Sequence, residues 1–379
     1  MLKRGVLAVR WLIFKPLGFA VRGLRFAMRR NLLDFQADRI EMVLASHRVP
    51  SKVIGGTVTP RLVRFKLTPA WGTKLKRIEA LSEEIALALS ARSCRIFRSG
   101  GTINVELPRD DPKPVRLLSL SKRLSKVPPC TAILGLDEEG VPILLRISSP
   151  EVAHVLISGT TGCGKTELAR AMVASLAIHN RPRDLQMVLL DPKGRGFSLF
   201  KDLPHLLLPP LGAEDALGAL QFLLGEMEAR DARRVSEPHI VAFIDELSDL
   251  ILSGGAEMER AIARLSQRGR GAGIHLVCCI QKPTAKVLGG LIKFNFPVRI
   301  VGRVASPEDA KVASGIAGTG AEKLLGRGDF LLVAGGEVVR FQAAYISKRE
   351  IEHLVARLRG GRPRLAARSI AQLAERLVR

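Results

Sequence analysis

Residues 156–168 read LISGTTGCGKTEL, and the fold turns on how this stretch is understood. Gly159, Gly164, Lys165 and Thr166 fit G-x-x-x-x-G-K-[ST], with four residues between the two glycines. Glycine permits backbone torsions that a Cβ forbids, so successive N–H groups can turn into one concavity. The helix expected to follow adds its free N–H groups and the positive end of its dipole. Such a turn is built for phosphates: Lys165 would reach the β- and γ-phosphates, and the Thr166 hydroxyl would bind Mg²⁺. Gly159, Thr160, Thr161, Gly162, Cys163, Gly164, Lys165, Thr166 and Glu167 are therefore the candidate nucleotide-binding residues, with ATP and Mg²⁺ as the expected ligands. The flanks agree: EVAHVLIS (151–158) reads as a buried strand and TELARAMVASLAIH (166–179) as an amphipathic helix.

Further downstream, HIVAFIDE (239–246) is a second buried strand, ending on Asp245 and Glu246. A carboxylate at Asp245 can hold the Mg²⁺ that bridges phosphates. The adjacent Glu246 can orient or deprotonate an attacking water, which favours hydrolysis. In GIHLVCCIQ (273–281), Gln281 falls at the C-terminal end of another strand, where open α/β sheets bind ligands. There it either senses a γ-phosphate or is an ordinary loop amide. Asp191 ends the strand LQMVLL (185–190) in a similar place, as either a site acid or a structural acid at a strand end.

The length of 379 residues suggests about two or three domains. Apolar residues at 47% and charged residues at 25% are ordinary for a globular protein. Aromatics at 4%, with one Tyr, argue against a protein that binds single strands by base stacking. The five cysteines show no metal-binding spacing and read as reduced, buried thiols. Charge is uneven. Residues 1–130 hold 26 Lys/Arg against 9 Asp/Glu, a net of +17 within the chain's total of +23. That excess calls for a polyanion, either nucleic acid or an anionic membrane surface.

Residues 1–30 carry eight Lys/Arg and no acid, interrupted by Pro16. No uncharged run is long enough to span a membrane, and no cleavage signature follows an apolar core. Arg22, Arg25 and Arg29 recur at helical spacing beside Trp11, Phe19 and Phe26. An interfacial helix on anionic lipid and a solvated basic arm both fit. Residues 31–130 are expected to form a small α/β domain. It would have a helical stripe over 75–91 and two strands around Gly100-Gly101. From residue 131 to about 355, strands and helices alternate, with near-continuous apolar strands. This predicts an α/β domain with a mostly parallel sheet covered on both faces. Residues 356–379 read as a basic tail.

With those segments in view, the chain resembles the FtsK/SpoIIIE family of double-stranded DNA translocases. The resemblance rests on HVLISGTTGCGKTEL, LLDPKG, LPHLLLP, GEMEAR, FIDELSDL, ARLSQRGRGAGIHLV, IQKP, LIKFNFPVRI and LLGRGDFLL, in family order over 150–346. The stretch upstream, RFKLTPAWGTKLKRIEALSEEIALALSARSCRI, looks like the family's small alpha domain. The resemblance implies a RecA-like P-loop ATPase acting as a homo-oligomer, a hexameric ring around double-stranded DNA. It also implies that Arg270 acts as a finger on a neighbour's ATP, beside the catalytic set Lys165, Glu246 and Gln281. Without the resemblance, Arg270 is a phosphate-contacting or surface arginine. The chain is expected to be a small member without the multi-span membrane anchor and the C-terminal winged-helix domain. It would be cytoplasmic, at the membrane's inner face if the basic arm docks there. Its task would be DNA segregation or transfer of a plasmid, phage or integrative element beside a relaxase or recombinase. Two other classes are open: a secretion motor that threads polypeptide, and a non-motor scaffold that uses ATP to assemble.

Overall fold

The computed structural model describes residues 25–99, 101–281 and 295–360. The basic arm up to residue 24 and the tail from residue 361 lie outside the described residues. The described chain packs as two units, residues 25–114 with 138–140, and residues 115–137 with 141–360. The division falls at Pro114/Val115, ahead of the composition break near 130. The reason is that Val115 and Arg116 pair with a strand of the larger unit, at Ala344 and Tyr345. Among the described residues no helix is long and apolar enough to cross a membrane.

The smaller unit contains α1 (Arg25–Ser46), β1 (Ser51–Val58), β2 (Leu62–Pro69), α2 (Leu75–Glu79), α3 (Ser82–Ala88), β3 (Arg95–Ser99) and β4 (Thr102–Pro108). The strands form an antiparallel sheet in the order β1-β2-β4-β3. Ile40 and Leu44 of α1, Ile78 of α2 and Ile85 of α3 bury against Phe65, Leu67, Val105 and Leu107 of the sheet. The single helical stripe expected over 75–91 is broken. Leu81 N donates to Ile78 O rather than one residue further back, and the chain bends there. The apolar side chains at 78, 81 and 85 still face the core.

The larger unit starts with β5 (Val115–Arg116) and α4 (Leu117–Arg123), then β6 (Thr131–Asp137), β7 (Pro142–Arg146) and β8 (Val155–Ser158). It continues with α5 (Lys165–His179), β9 (Leu185–Leu190), α6 (Ala213–Arg233), β10 (His239–Ile244) and α7 (Leu247–Arg268). After β11 (Ile274–Ile280) and β12 (Val298–Val301) come α8 (Pro307–Ser314), β13 (Asp329–Ala334), β14 (Glu337–Tyr345) and α9 (Lys348–Arg359). The sheet runs β7-β6-β14-β13-β12-β8-β11-β10-β9, with β5 alongside β14. From β12 to β9 neighbouring strands are parallel; from β7 to β12 they are antiparallel. The antiparallel half comes from two tight hairpins, β6–β7 and β13–β14, whose short turns allow no parallel crossover.

Alternate strand residues enter two cores. Val277 and Cys279 of β11 join α4, α5 and α9 on one face, while Leu276 and Cys278 join α6 and α7 on the other. Helix α5 is buried on nearly every side, because β6, β14, β11 and α4 surround it; the amphipathic pattern expected there is absent. Strand β8 is shorter than expected, since Val152 N and Ala153 N both donate to Ser149 O and close a turn before it.

One buried ion pair ties the helix layer to the strand ends. Arg230 of α6 is 2% exposed and donates from Nε to Glu226 Oε1 at 2.5 Å. Its Nη1 donates to Pro238 O at 2.7 Å and Ala272 O at 2.9 Å, holding the chain just before β10 and just before β11. Removing one partner of such a pair strands the other charge in the interior. Arg230→Met is therefore expected to destabilise the larger unit by about 3–5 kcal/mol in urea unfolding, with partial recovery when Glu226→Gln is added.

Candidate functional site

The expected phosphate loop leaves the C-terminal end of β8 and enters α5. It hangs from three neighbours. Gly159 N donates to Ile280 O at 3.3 Å, Thr160 N to Arg303 O at 2.8 Å, and Gly328 N to Cys163 O at 2.7 Å. Gly159, Gly162 and Gly164 have φ of +144°, +78° and +108°, which side-chain-bearing residues rarely adopt. At Gly159 and Gly164 the space is also needed: a Cβ there would sit 2.9 Å from Cys163 Sγ and 3.0 Å from Gly328 N, respectively. Cys163 itself is buried, which pushes its thiol up from the ordinary range.

The sequence-predicted residues meet around this loop. Lys165 Nζ donates to Gly159 O at 2.8 Å and Thr160 O at 3.3 Å, folding over the loop's own carbonyls. Thr166 Oγ1 donates to Asp245 Oδ2 at 2.9 Å. Burial pushes the Asp245 carboxyl up, the Thr166 hydroxyl opposes this, and the nearby acids Asp191 and Glu246 add to the rise. Glu246 follows at the head of α7 in a left-handed conformation, φ 64° and ψ 61°. Gln281, just past β11, joins two parts of the site: its Nε2 donates to Glu246 Oε2 at 2.6 Å, and its Oε1 accepts from Thr161 Oγ1 at 3.1 Å. Glu167, on the first turn of α5, pairs with Arg170 at 2.6 Å.

Asp191 takes the structural one of its two readings. Its Oδ2 accepts from Gly196 N at 2.6 Å and Phe197 N at 3.1 Å, so it builds the turn that follows β9. Arg170 pins the same turn to α5, donating to Gly196 O at 2.5 Å and Arg195 O at 2.6 Å. A Cβ on Gly196 would lie 2.8 Å from Asp245 Oδ2 and 3.3 Å from the Thr166 methyl. Sequence reasoning missed Gly196, Arg170 and also Lys193, whose Nζ lies 2.9 Å from Asp249 Oδ2 and 3.7 Å from Glu246 Oε2. The one local signal was Asp-Pro-Lys-Gly, a turn-forming run directly after a strand.

Arg270 is not brought to this group. It precedes β11, whereas Gln281 follows it, and seven residues of strand separate them by about 20 Å. There its Nη1 donates to Pro150 O at 3.2 Å. Buried histidines pack beside it. His275 Nδ1 lies 2.9 Å from Ala153 O and Nε2 lies 3.3 Å from His239 Nδ1, while Leu276 N donates to His154 Nδ1 at 3.0 Å. Burial pushes His275 down to about 4 and His154 down to about 3, the latter helped by the charges of His275 and Arg270.

The arrangement fits a magnesium–nucleoside triphosphate. The N-terminus of α5 has no side-chain cap, so its first-turn N–H groups remain available as donors. Thr166 and Asp245 supply the hard oxygen ligands that Mg²⁺ prefers, and the missing side chain at Gly196 keeps that corner open.

Two expectations follow. Gly196→Ala drives a methyl group against Asp245 and is expected to weaken magnesium-dependent binding of a fluorescent ATP analogue by about 10-fold or more, with the thermal midpoint little changed. The histidines titrate lower folded than unfolded. Their contribution is present above about 6.5 and is lost as pH falls towards 4. The thermal midpoint is therefore expected to drop over that window, and His275→Gln to flatten the drop.

Residues 116–236 and 230–285 match the family model for the FtsK/SpoIIIE family, and residues 25–109 match that for the FtsK alpha domain. The chain is 34% identical over 359 residues to the DNA translocase FtsK of Leptospira interrogans serogroup Icterohaemorrhagiae serovar copenhageni, covering 86% of this chain and 37% of that protein. It is 34% identical over 362 residues to the DNA translocase SftA of Bacillus subtilis, covering 87% and 38%. The chain thus spans well under half the length of either relative. Among solved structures, it is similar to the cytoplasmic domain of the Thermomonospora curvata type VII secretion ATPase EccC, with a TM-score of 0.57 and 25% identity. That match covers 68% of this chain and 35% of the other. The pCW3 conjugation coupling protein TcpA, in a monomer form with ATPγS, matches at a TM-score of 0.59 and 19% identity, covering 86% of this chain and all of that one. These neighbours establish the fold as that of the P-loop ATPases. With both family models matched in order, the chain belongs to the FtsK/SpoIIIE family.

Proposed function

We propose that this chain hydrolyses ATP and uses the energy to translocate double-stranded DNA, working as a ring-shaped oligomer, a hexamer. The observation that carries the reading is the split site. Lys165, Thr166, Asp245, Glu246 and Gln281 converge at one end of the parallel strands, while Arg270 lies at the other. An arginine for the phosphates would then come from a second copy, and a closed ring supplies one to every site. DNA as the track is supported by the +17 excess of residues 1–130 and by relatives named as DNA translocases.

The chemistry would divide as follows. Thr166 and Asp245 would hold Mg²⁺, which would supply charge neutralisation at the phosphates. The loop amides and Lys165 bind and orient the triphosphate. Glu246 takes a proton from the attacking water, and Gln281 keeps its carboxylate facing the phosphate loop. The protein would act in the cytoplasm, held at an anionic membrane face by its basic N-terminal residues. It would move DNA in segregation, or in mobile-element transfer with a relaxase or recombinase. A second reading, a motor that threads polypeptide, is favoured by the likeness to the type VII secretion ATPase.

The deciding measurement is the ATPase rate with and without duplex DNA. Stimulation by duplex DNA, abolished by Lys165→Ala, is the expected result; stimulation by an unfolded polypeptide alone would select the second reading. Arg270→Ala is expected to bind ATP normally and lose roughly 10³-fold in kcat, as arginine fingers do. Mixed with Lys165→Ala it should regain activity, since some interfaces then pair an intact loop with an intact arginine. Inactive mixtures in rings shown to contain both variants would place Arg270 outside the chemistry.

A further inference from the structure

Lys193 sits on the turn between β9 and the 3₁₀ turn at Ser198–Phe200, and the fold holds the backbone of that turn in place. Asp191 accepts from Gly196 N and Phe197 N, Arg170 donates to the carbonyls of Arg195 and Gly196, and Phe197 is fully buried. Three independent anchors therefore present one ammonium group to the first turn of α7. There it lies between two carboxylates that share a helix face, Glu246 and Asp249. We propose that Lys193 is a positioning residue for Glu246, aiming its carboxylate for catalysis; this rests on the reading of Glu246 as the hydrolytic base.

The geometry gives the mechanism. Glu246 Oε2 receives the Gln281 amide at 2.6 Å and faces Lys193 Nζ at 3.7 Å. One oxygen is thus engaged from two sides, which leaves Oε1 as the oxygen to meet a water. Without Lys193, Asp249 is an uncompensated like charge three residues away, and Glu246 is held by Gln281 alone. Glu246 already occupies a left-handed backbone conformation that non-glycine residues seldom adopt, so its side chain starts from an unusual direction and depends on its partners. Lys193 does not act as a structural pair would. Its side chain is 53% exposed, and exposed ion pairs contribute little to stability. Its effect should therefore appear in the chemistry and not in the folding.

The test uses the full chain with duplex DNA, measuring kcat, the affinity for a fluorescent ATP analogue and the thermal midpoint. Lys193→Met keeps the stem and removes the charge. It is expected to lower kcat by about 10- to 100-fold, the cost of a misaimed group, while nucleotide affinity and midpoint stay within about twofold of the parent. Lys193→Arg, which keeps the charge, is expected to recover most of the rate. In a Glu246→Gln background, where only slow single-turnover hydrolysis is left, adding Lys193→Met is expected to cost nothing further, because residues that act as a unit are not additive. The proposal is overturned if Lys193→Met hydrolyses at the parent rate. It is equally overturned if nucleotide affinity falls by the same factor as kcat/KM, or if the variant lowers the rate as much with Gln at 246 as with Glu. Failure of the underlying reading looks different: either the parent chain itself shows no ATP hydrolysis, or Glu246→Gln turns over at the parent rate, and either result overturns both.

Discussion

Three close approaches at glycines in and around the phosphate loop set the terms for everything near it. Gly159 abuts Gly302, Gly164 abuts Gly328, and Gly196 abuts the Asp245 carboxylate, each close enough that an added side chain would crowd its neighbour. The first lets the loop leave β8 squeezed against the end of β12, and the second seats the head of α5 on the turn before β13. The third lets the turn after β9 close over the Thr166–Asp245 hydrogen bond. The candidate site residues Lys165, Thr166, Asp245, Glu246 and Gln281, drawn from three segments, thus share one small volume because glycine permits the backbone to do so. The hydrogen bonds Gly159 N to Ile280 O, Thr160 N to Arg303 O and Gly328 N to Cys163 O then lock that geometry.

Much of this was legible in the sequence, for local reasons. The phosphate loop is a fixed spacing of glycines and a lysine. The hairpin at Gly335-Gly336 is a turn signal between two apolar runs. Asp245, Glu246 and Gln281 were readable because each ends an apolar strand. What was hidden depends on partners distant in sequence. Arg170 reads as the polar side of an amphipathic helix, yet it is 7% exposed because the turn after β9 folds onto it. Asp191 reads as one more acid at a strand end, and only the tertiary turn shows that its Oδ2 accepts from Gly196 and Phe197. Helix α1 shows no clean stripe, since Leu33, Ile40 and Leu44 face the core while Leu32, Phe35 and Met42 face outward. The antiparallel half of the sheet follows from where the hairpins pair, which periodicity does not encode.

The two halves of that sheet contribute differently. The parallel half delivers side chains to the site, because its strands all end at the same edge. The antiparallel half delivers support: β14 packs on α5, and the Arg340–Asp329 pair, at 2.8 Å and nearly buried, fastens it to β13. The turn carrying Gly328 is thereby held rigid where it meets the phosphate loop. A substitution far from the nucleotide, on either hairpin, can shift the loop by this route.

Strand β11 is buried along its whole length, with Gln281 just beyond one end and Arg270 just before the other. A strand fixed by neighbours on both sides is stiff along its axis, so its two ends move together. In the ring proposed above, with Gln281 read as phosphate sensor and Arg270 as the arginine offered to the next subunit, the two groups would be opposite ends of a single lever. Timing between neighbouring sites would then need no separate messenger. In that proposed ring, a change at one site would reach the next through the stiff body of one seven-residue strand.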